Sequence, residues 1–394
     1  MRIRRSPSGG SMEHDTRLLI EERLPSAPFL HNRSTKRFLG RHSQAITLVL
    51  LFVLALSFFK LQFHLRELET LTGGPYRSEP LSEPEVRVDG TKVFKIGVVT
   101  DLDQDSKKGD KWHSIMKTGT FSFKQETKDA RVQWKSPADD IVLTTEIAAG
   151  GRAMELSDLV VFNHRLLTID DRTGLIYEIS ENAAVPWVFL NDGPGHQTKP
   201  IKGEWMTVKD DELWIGGLGK EWTNKEGVYI NDHPMWVKVV DRTGRVRHIN
   251  WADNYRKVRE ECGILPPGYM VHESVQWSSV HKKWFFLPRR ASVKSYNDQL
   301  DEQRGTNMLI SADEYFKDIS MIRVGPGTYE GTKGFSAFQF VPGTQDEYII
   351  ALKSEEIGGR PAASHITVFD ISGTVIMNDT TLPGSHKFEG LAFI

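Results

Sequence analysis

Apolar and polar positions divide the chain into two regimes. Residues Ala45 to Phe59 (AITLVLLFVLALSFF) form an apolar run without a single charge, apolar on every face, unlike the striped helices of soluble domains. With Leu61 and Phe63 the stretch approaches the roughly 20 residues that span a bilayer core. From Lys92 onward the dominant period is two rather than 3.6, the alternation of half-buried strands. Ser157–Asn163 pairs with Arg165–Asp170, and Leu175–Ile179 follows an Asp-Arg-Thr-Gly turn. Trp205–Val208 pairs with Glu212–Ile215, and Trp236–Val240 with Val246–Asn250 around a second Asp-Arg-Thr-Gly. Ser274–Trp277 and Lys283–Leu287, Ala337–Val341 and Glu347–Leu352, and Ile366–Phe369 and Thr374–Met377 continue the series. Short strands bounded by Gly, Asp, Asn and Pro predict an all-β sandwich, barrel or propeller. No long amphipathic helical pattern intervenes, which argues against α/β folds.

The hairpins repeat. Each begins at a small or acidic polar residue, runs into an apolar strand, turns and runs back. The starts are Ser157, Glu204, Glu273, Ser336 and Glu389, separated by 47, 69, 63 and 53 residues. A four-stranded propeller blade needs about 40 to 50 residues, with excess length in loops. Glu389 is followed only by Gly-Leu-Ala-Phe-Ile, enough for one strand. Its partners must come from the other end of the domain, where Phe94–Val99, Thr120–Phe123 and Arg131–Trp134 are strand-like. A blade assembled from both chain ends closes a ring and hides the open sheet edges. The fold expected is therefore an all-β, five-bladed β-propeller.

In such a ring the first strand of each blade lines the central channel, so the five starts converge on one axis. Three of them are carboxylates, which repel one another strongly in a dry channel. A bound cation relieves that repulsion, and oxygen-only ligands select a hard ion such as Ca2+ over zinc. Ser157, Glu204, Glu273, Ser336 and Glu389 are accordingly the expected metal ligands. Taken singly, each is more simply an ordinary polar strand end; five in equivalent positions, without Lys or Arg among them, reverse that preference.

The apolar run has basic flanks. Arg2, Arg4, Arg5, Arg17, Arg23, Arg33, Lys36, Arg37 and Arg41 precede it, against Glu13, Asp15, Glu21 and Glu22. The positive-inside rule keeps this end cytosolic and sends the rest into the lumen. The long polar segment before the run and the poor cleavage site at Ser57-Phe58-Phe59-Lys60 favour a signal anchor over a cleaved signal peptide. The expected organisation is a cytosolic basic tail (1–43), a transmembrane signal anchor (44–63), a Pro-containing luminal stem (64–91) and the propeller (92–394). Asn378-Asp379-Thr380 is a luminal glycosylation sequon, and cleavage within the stem would release a secreted form.

Composition narrows the chemistry. Lys+Arg 50 against Asp+Glu 52 gives no electrostatic reason to expect nucleic acid as a partner. Cys262 is the single cysteine, so an intrachain disulfide and Cys-based zinc or redox motifs are excluded; it reads as a small, partly buried hydrophobe. Ten Trp and twenty Phe supply apolar surface for a large core. There is no Gly-x-x-x-x-Gly-Lys-Ser/Thr phosphate loop and no Gly-x-Ser-x-Gly elbow.

Several segments together resemble one family, the soluble calcium-activated nucleotidases, or apyrases, of vertebrate secretory organelles and of blood-feeding arthropod saliva. They are Val98–Asp103, Gly151–Asp158, Asp170–Gly174, Gly203–Trp205, Gly216–Trp222, Pro266–Ser274, Phe285–Ser292, Lys333–Ser336, Ala351–Glu356 and Phe388–Gly390. The signal anchor makes the chain similar to the vertebrate Golgi and endoplasmic reticulum type. The resemblance implies a five-bladed propeller with one central calcium on the same five residues. It implies hydrolysis of nucleoside di- and triphosphates to the monophosphate, with UDP and GDP preferred and UTP among the triphosphates. It also implies a part in glycosylation and proteoglycan synthesis, and a homodimer.

A polyanionic substrate needs cations, and Arg289, Arg290, Lys220 and Lys353 are the expected phosphate contacts, with Trp222 stacking on the base. Asp101 and Asp171 are the expected groups that orient or deprotonate the attacking water. For Asp171-Arg172-Thr173-Gly174 a plain β-turn is the simpler account, as it is for the second copy at Asp241, so Asp101 ranks first. Arg290 could equally make a surface salt bridge and Trp222 fill a core. The alternatives are a calcium propeller acting on lactones or phosphotriesters, which needs an apolar substrate mouth, and a non-catalytic propeller pinned by calcium. The basic Leu287–Arg290 segment argues for an anionic substrate.

Overall fold

The structure, a computed structural model, describes residues 46, 47, 49–65, 76–78, 80–326 and 331–394. Contacts divide the chain into two units, Met1–Glu67 and Leu68–Ile394. In the first, residues 46, 47 and 49–65 are helical with exposed side chains. Among the described residues no helix is long and apolar enough to cross a membrane. The expected tail 1–43, residues 44, 45 and 48 of the expected span, and 66–75 and 79 of the expected stem lie outside the described residues.

The second unit is all-β and propeller-like. Its N-terminal strands are β1 (Glu85–Val86), β2 (Lys92–Asp101), β3 (Lys107–Lys108), β4 (Lys111–Lys124), β5 (Asp129–Trp134) and β6 (Ile141–Thr145). Four four-stranded antiparallel sheets follow. The first holds β7 (Leu156–Phe162), β8 (Arg165–Asp170), β9 (Leu175–Ser180) and β10 (Ala183–Phe189). The next holds β11 (Trp205–Lys209) and β12 (Glu212–Gly216). A small excursion, β13 (Trp222–Thr223) with β14 (Tyr229–Asn231), precedes its outer strands β15 (Trp236–Val240) and β16 (Val246–Asn250). The third holds β17 (Tyr269–Ser278), β18 (Lys283–Ser292), β19 (Met308–Asp313) and β20 (Ile319–Arg323). The fourth holds β21 (Lys333–Phe340), β22 (Tyr348–Ile357), β23 (Arg360–Asp370) and β24 (Val375–Thr381).

The C-terminal β25 (Lys387–Phe393) crosses back to pair antiparallel with β2, from Ile96↔Phe393 to Asp101↔Lys387, making a seven-stranded sheet from both ends of the chain. Neighbouring sheets meet along their first strands: β25 packs on β7, β7 on β11, β11 on β17, β17 on β21, and β21 on β25. Closure of this kind turns the edge strands β7, β11, β17 and β21 inward, where neighbouring sheets protect them.

Alternation drives the packing. Residues from sheets and from the segment 251–255 fill the interfaces, as in the cluster of Trp205, Trp251, Tyr255, Trp284 and Phe286, all below 5% exposed. There the Trp251 and Trp284 rings meet edge to face at 4.8 Å, a preferred aromatic geometry. Full burial of each such side chain stabilises by roughly 1.5–3 kcal/mol.

Two features depart from the expected organisation. The folded body reaches N-terminal of Lys92: Tyr76 packs 5.7 Å from Phe162, Ser82 Oγ donates to the Ile394 carbonyl at 2.5 Å, and β1 pairs with β2. Its Pro and Gly content signals missing periodicity, not missing contacts. The second is an α-helix, Ala252–Glu261, between β16 and β17. Asn250 Oδ1 accepts from Ala252 N at 2.9 Å at its start, and Gly263 at φ 73° follows its end. Its buried face is only Ala252, Tyr255, Val258 and the stem of Arg259, too thin an apolar stripe to register as a helical pattern.

Candidate active site

Four of the five expected metal ligands occupy irregular points in their ladders. Register shifts leave Ser157 as the extra residue between Leu156↔Asp170 and Asp158↔Ile169. Ser336 is the extra residue between Phe335↔Lys353 and Ala337↔Leu352. Glu389 is the extra residue between Thr100↔Phe388 and Val99↔Gly390. Glu273 falls in the shift between His272↔Pro288 and Val275↔Phe286. Glu204 stands one residue before β11, its N–H donating to the Gly216 carbonyl at 2.8 Å. A bulge bends its strand and re-aims the side chain of the unpaired residue. All five are buried.

An ion-pair network ties the carboxylates together. Arg289 holds Glu273, Glu389 (2.7 Å) and Glu356 (2.7 Å). Lys387 reaches Asp101 at 2.5 Å, Asp103 and Glu389 at 3.5 Å and Glu356 at 3.8 Å. Lys202 bridges Asp171 and Glu204, the latter at 2.8 Å. Arg152 joins Asp103 at 3.1 Å to Glu155 at 2.6 Å, and Arg172 joins Glu155 at 2.7 Å to Asp171 at 3.5 Å. With Arg290, 3.7 Å from Glu356, six cations face eight carboxylates.

Burial first, and the surplus of carboxylates second, press several members toward the neutral form. Burial pushes Glu204 up to about 8, with Lys202 opposing and Glu273 and Asp171 adding to the rise. Burial likewise raises Glu389 well above the usual carboxylate range, with Lys387 opposing and Glu273 adding. Burial, then the charges of Asp101 and Asp171, push Glu155 up to about 7. For Asp101 burial is outweighed by Lys387, which holds it low. Carboxylates pressed toward the neutral form in this way lack positive charge.

A divalent cation fits that deficit. The donors are all oxygen, the class hard ions prefer. Among the described residues the buried Ser157 Oγ has no hydrogen-bond partner, as expected of a group kept for another ligand. Ser336 Oγ donates to the Phe388 carbonyl at 3.0 Å, which leaves its lone pairs available. A second acidic set, Asp101, Asp103 and Glu155, has ligand atoms within 4.8 Å of one another, with Lys387 and Arg152 paired to it.

A cavity of about 340 Å3 opens beside this network, lined by Lys202, Leu218, Lys220, Trp222, Glu273, Arg289, Arg290, Tyr296, Asp301 and Glu356 among others. It brings together four of the five expected substrate contacts: Arg289, Arg290, Lys220 and Trp222. Arg290 Nη1 donates to the Thr332 carbonyl at 3.0 Å, while its buried Nη2 has no hydrogen-bond partner among the described residues. Lys220 Nζ lies 4.4 Å over the Tyr296 ring, and burial lowers its basicity. Lys199 Nζ covers Trp222 at 4.1 Å. Lys353 does not join the group: it pairs with Asp379 at 2.8 Å and lies over Phe335. Asp101 and Asp171 are both buried within the network, beside Lys387 and Lys202 respectively.

Sequence reasoning passed over Lys202, Lys387, Glu155, Glu356 and Tyr296. A signal for the first three exists. Lys202, Lys387 and Glu155 each stand two residues before an expected ligand, and strand period two puts such pairs on one face. Tyr296 lies in a loop, where periodicity carries no such signal.

Comparison with known proteins gives one answer. The profile of the apyrase family matches residues 101–394. The chain is 54% identical over 305 residues to the apyrase apy-1 of Caenorhabditis elegans, covering 77% of this chain and 85% of that one. It is 46% identical over 317 residues to the soluble calcium-activated nucleotidase 1 of Rattus norvegicus, covering 80% and 77%. An apyrase of Cimex lectularius is 41% identical over 304 residues, covering 76% and 82%. The chain that carries this cation-lined cavity beside a buried excess of carboxylates belongs to the apyrase family.

Proposed function

We propose that the protein is a calcium-dependent nucleoside diphosphatase, hydrolysing UDP and GDP, and some triphosphates such as UTP, to the monophosphate and phosphate. The observation that carries this is the cavity in which Arg290 Nη2 makes no hydrogen bond while Arg289, Lys202 and Lys220 share the lining. Four cationic side chains suit a diphosphate and are superfluous to an apolar lactone or to a purely structural pin. Family membership and the name of the rat relative point the same way.

Ser157, Glu204, Glu273, Ser336 and Glu389 hold the calcium in this reading. When bound, calcium polarises phosphoryl oxygens and supplies the positive charge that the network lacks. The chain's own groups do the rest. Arg290, Lys220 and Lys202 take up phosphate charge, and Trp222 offers a face to the base. Asp101, kept ionised by Lys387, orients the attacking water and takes its proton, with Asp171 as the second candidate. Oxygen of water bonds to the terminal phosphorus, and the bridging oxygen leaves with the monophosphate.

The wider reading counts the seven-stranded sheet as the fifth blade, supported by the packing of β25 between β21 and β7. It keeps the apolar run 45–59 as a signal anchor, placing the propeller in the Golgi or endoplasmic reticulum lumen. There it would clear the UDP that glycosyl transfer releases, in support of glycoprotein and proteoglycan synthesis; a homodimer and an N-glycan on the exposed Asn378 complete the proposal. Phosphate release from a nucleotide panel, with and without a chelator, tests the activity, with Glu204→Ala and Glu273→Ala as controls. No release from UDP or GDP by the wild-type chain at millimolar calcium would sink it.

A further inference from the structure

The segment Gly216–Trp222 (GGLGKEW) has two faces. Leu218, Lys220 and Trp222 line the cavity, while the residues between them turn the other way. Glu221 is held by Arg259 of the helix Ala252–Glu261 through two hydrogen bonds, Nη1 to Oε2 at 2.8 Å and Nη2 to Oε1 at 3.1 Å, the planar fork that Arg alone provides. Arg256 adds a longer approach at 3.9 Å. Burial would raise the Glu221 carboxyl, but the bonds from Arg259 outweigh it and hold it low. Gly219, at φ +65°, lies so close to the same helix that a Cβ would come within 2.5 Å of Tyr255 and 2.7 Å of His272. The Leu218 carbonyl accepts from His272 N at 3.0 Å, one residue before Glu273.

Arg259 is not among the residues lining the cavity, and its guanidinium is buried against a carboxylate that does not line it either. We propose that Arg259 is a positioning residue: acting through Glu221, it sets the substrate-facing side of residues 218–222 and so the grip on the nucleotide. The kinetic consequence rests on the nucleotidase reading above; the mechanical coupling does not. An α-helix in a body built mainly of strands thereby acquires a role, as a splint for the segment that carries Lys220 and Trp222.

The test compares the full wild-type chain with Arg259→Gln and Arg259→Lys. Loss of a charged, forked hydrogen-bond pair predicts a rise in KM for UDP of about tenfold in Arg259→Gln with kcat held. Lysine keeps the charge but not the fork, so the rise there is roughly two- to threefold. The calcium midpoint stays put, which a general loss of structure would not allow. Hydrogen exchange of the 217–223 amides, measured without nucleotide, accelerates in Arg259→Gln while that of β22 does not. An unchanged KM, or a fall in kcat at constant KM, overturns the positioning role. If the wild-type chain hydrolyses no nucleotide, the functional reading fails and exchange alone decides: faster exchange confined to 217–223 sustains the coupling, and unchanged exchange ends it.

Discussion

Glu204 pays a desolvation penalty that a bound cation removes. Its carboxyl, pushed up to about 8 by burial against the opposing Lys202, is poorly accommodated at neutral pH without added positive charge. Replacement by the neutral isostere predicts an asymmetric outcome. Glu204→Gln in chelator melts no lower than wild type, whereas wild type in excess calcium gains about 2.7 kcal/mol at a hundred times Kd and the variant gains far less. Thermal unfolding with and without calcium reads both halves. Asp170, fully buried, behaves differently because it lies outside the ligand set. Burial raises it to about 6, with the Arg172 amide opposing and Asp171 adding. A carboxyl raised on folding contributes stability that is present below its unfolded pKa and lost as pH climbs to the folded one. Wild-type stability therefore carries a downward component between about pH 4 and 6, which Asp170→Asn removes. Urea unfolding across that window checks it; identical slopes would contradict the assignment.

Among the elements, β25 is the one on which closure depends. It lies between β21, β7 and β2, with Leu391 fully buried. Leu391→Ala should cost about 2–5 kcal/mol, whereas Val142→Ala on β6, 56% exposed, should stay within about 0.5 kcal/mol. Equal effects in chemical denaturation would mean that β25 is not integral. The helix Ala252–Glu261 ends at Cys262, whose thiol burial pushes up to about 12. Alkylation at pH 8 should therefore be about a thousandfold slower than for an exposed thiol; labelling at the exposed rate would contradict the packing. Elements differed in how plainly the sequence announced them. Hairpins such as β7–β8 and β21–β22 were legible because short apolar runs are bounded by turn residues, although both of their faces are largely buried. The terminal strand was legible from the mostly apolar Gly390–Ile394 after Glu389, and it pairs with β2. This helix was not, because its inward face is only three apolar side chains and an arginine stem.

At the scale of the molecule, a near-neutral chain buries a connected cluster of acids and bases. Recurrence along the sequence singled out Glu204, Glu273 and Glu389, and register shifts at Glu273 and Glu389 explain why those two depart from strict alternation. Recurrence could not reveal which cations gather there. Lys353 stands beside Phe335 in register, yet Asp379 captures it; Lys202 and Lys387, never singled out, are central. Such partner choice depends on strands far apart in sequence and leaves no local trace. The central claim is that five side chains from separate strands hold one calcium. Anomalous diffraction from crystals grown in calcium tests it most directly. The account predicts one strong peak about 2.3–2.6 Å from oxygens among Ser157, Glu204, Glu273, Ser336 and Glu389. No peak there, or a peak held instead by Asp101, Asp103 and Glu155, would contradict it.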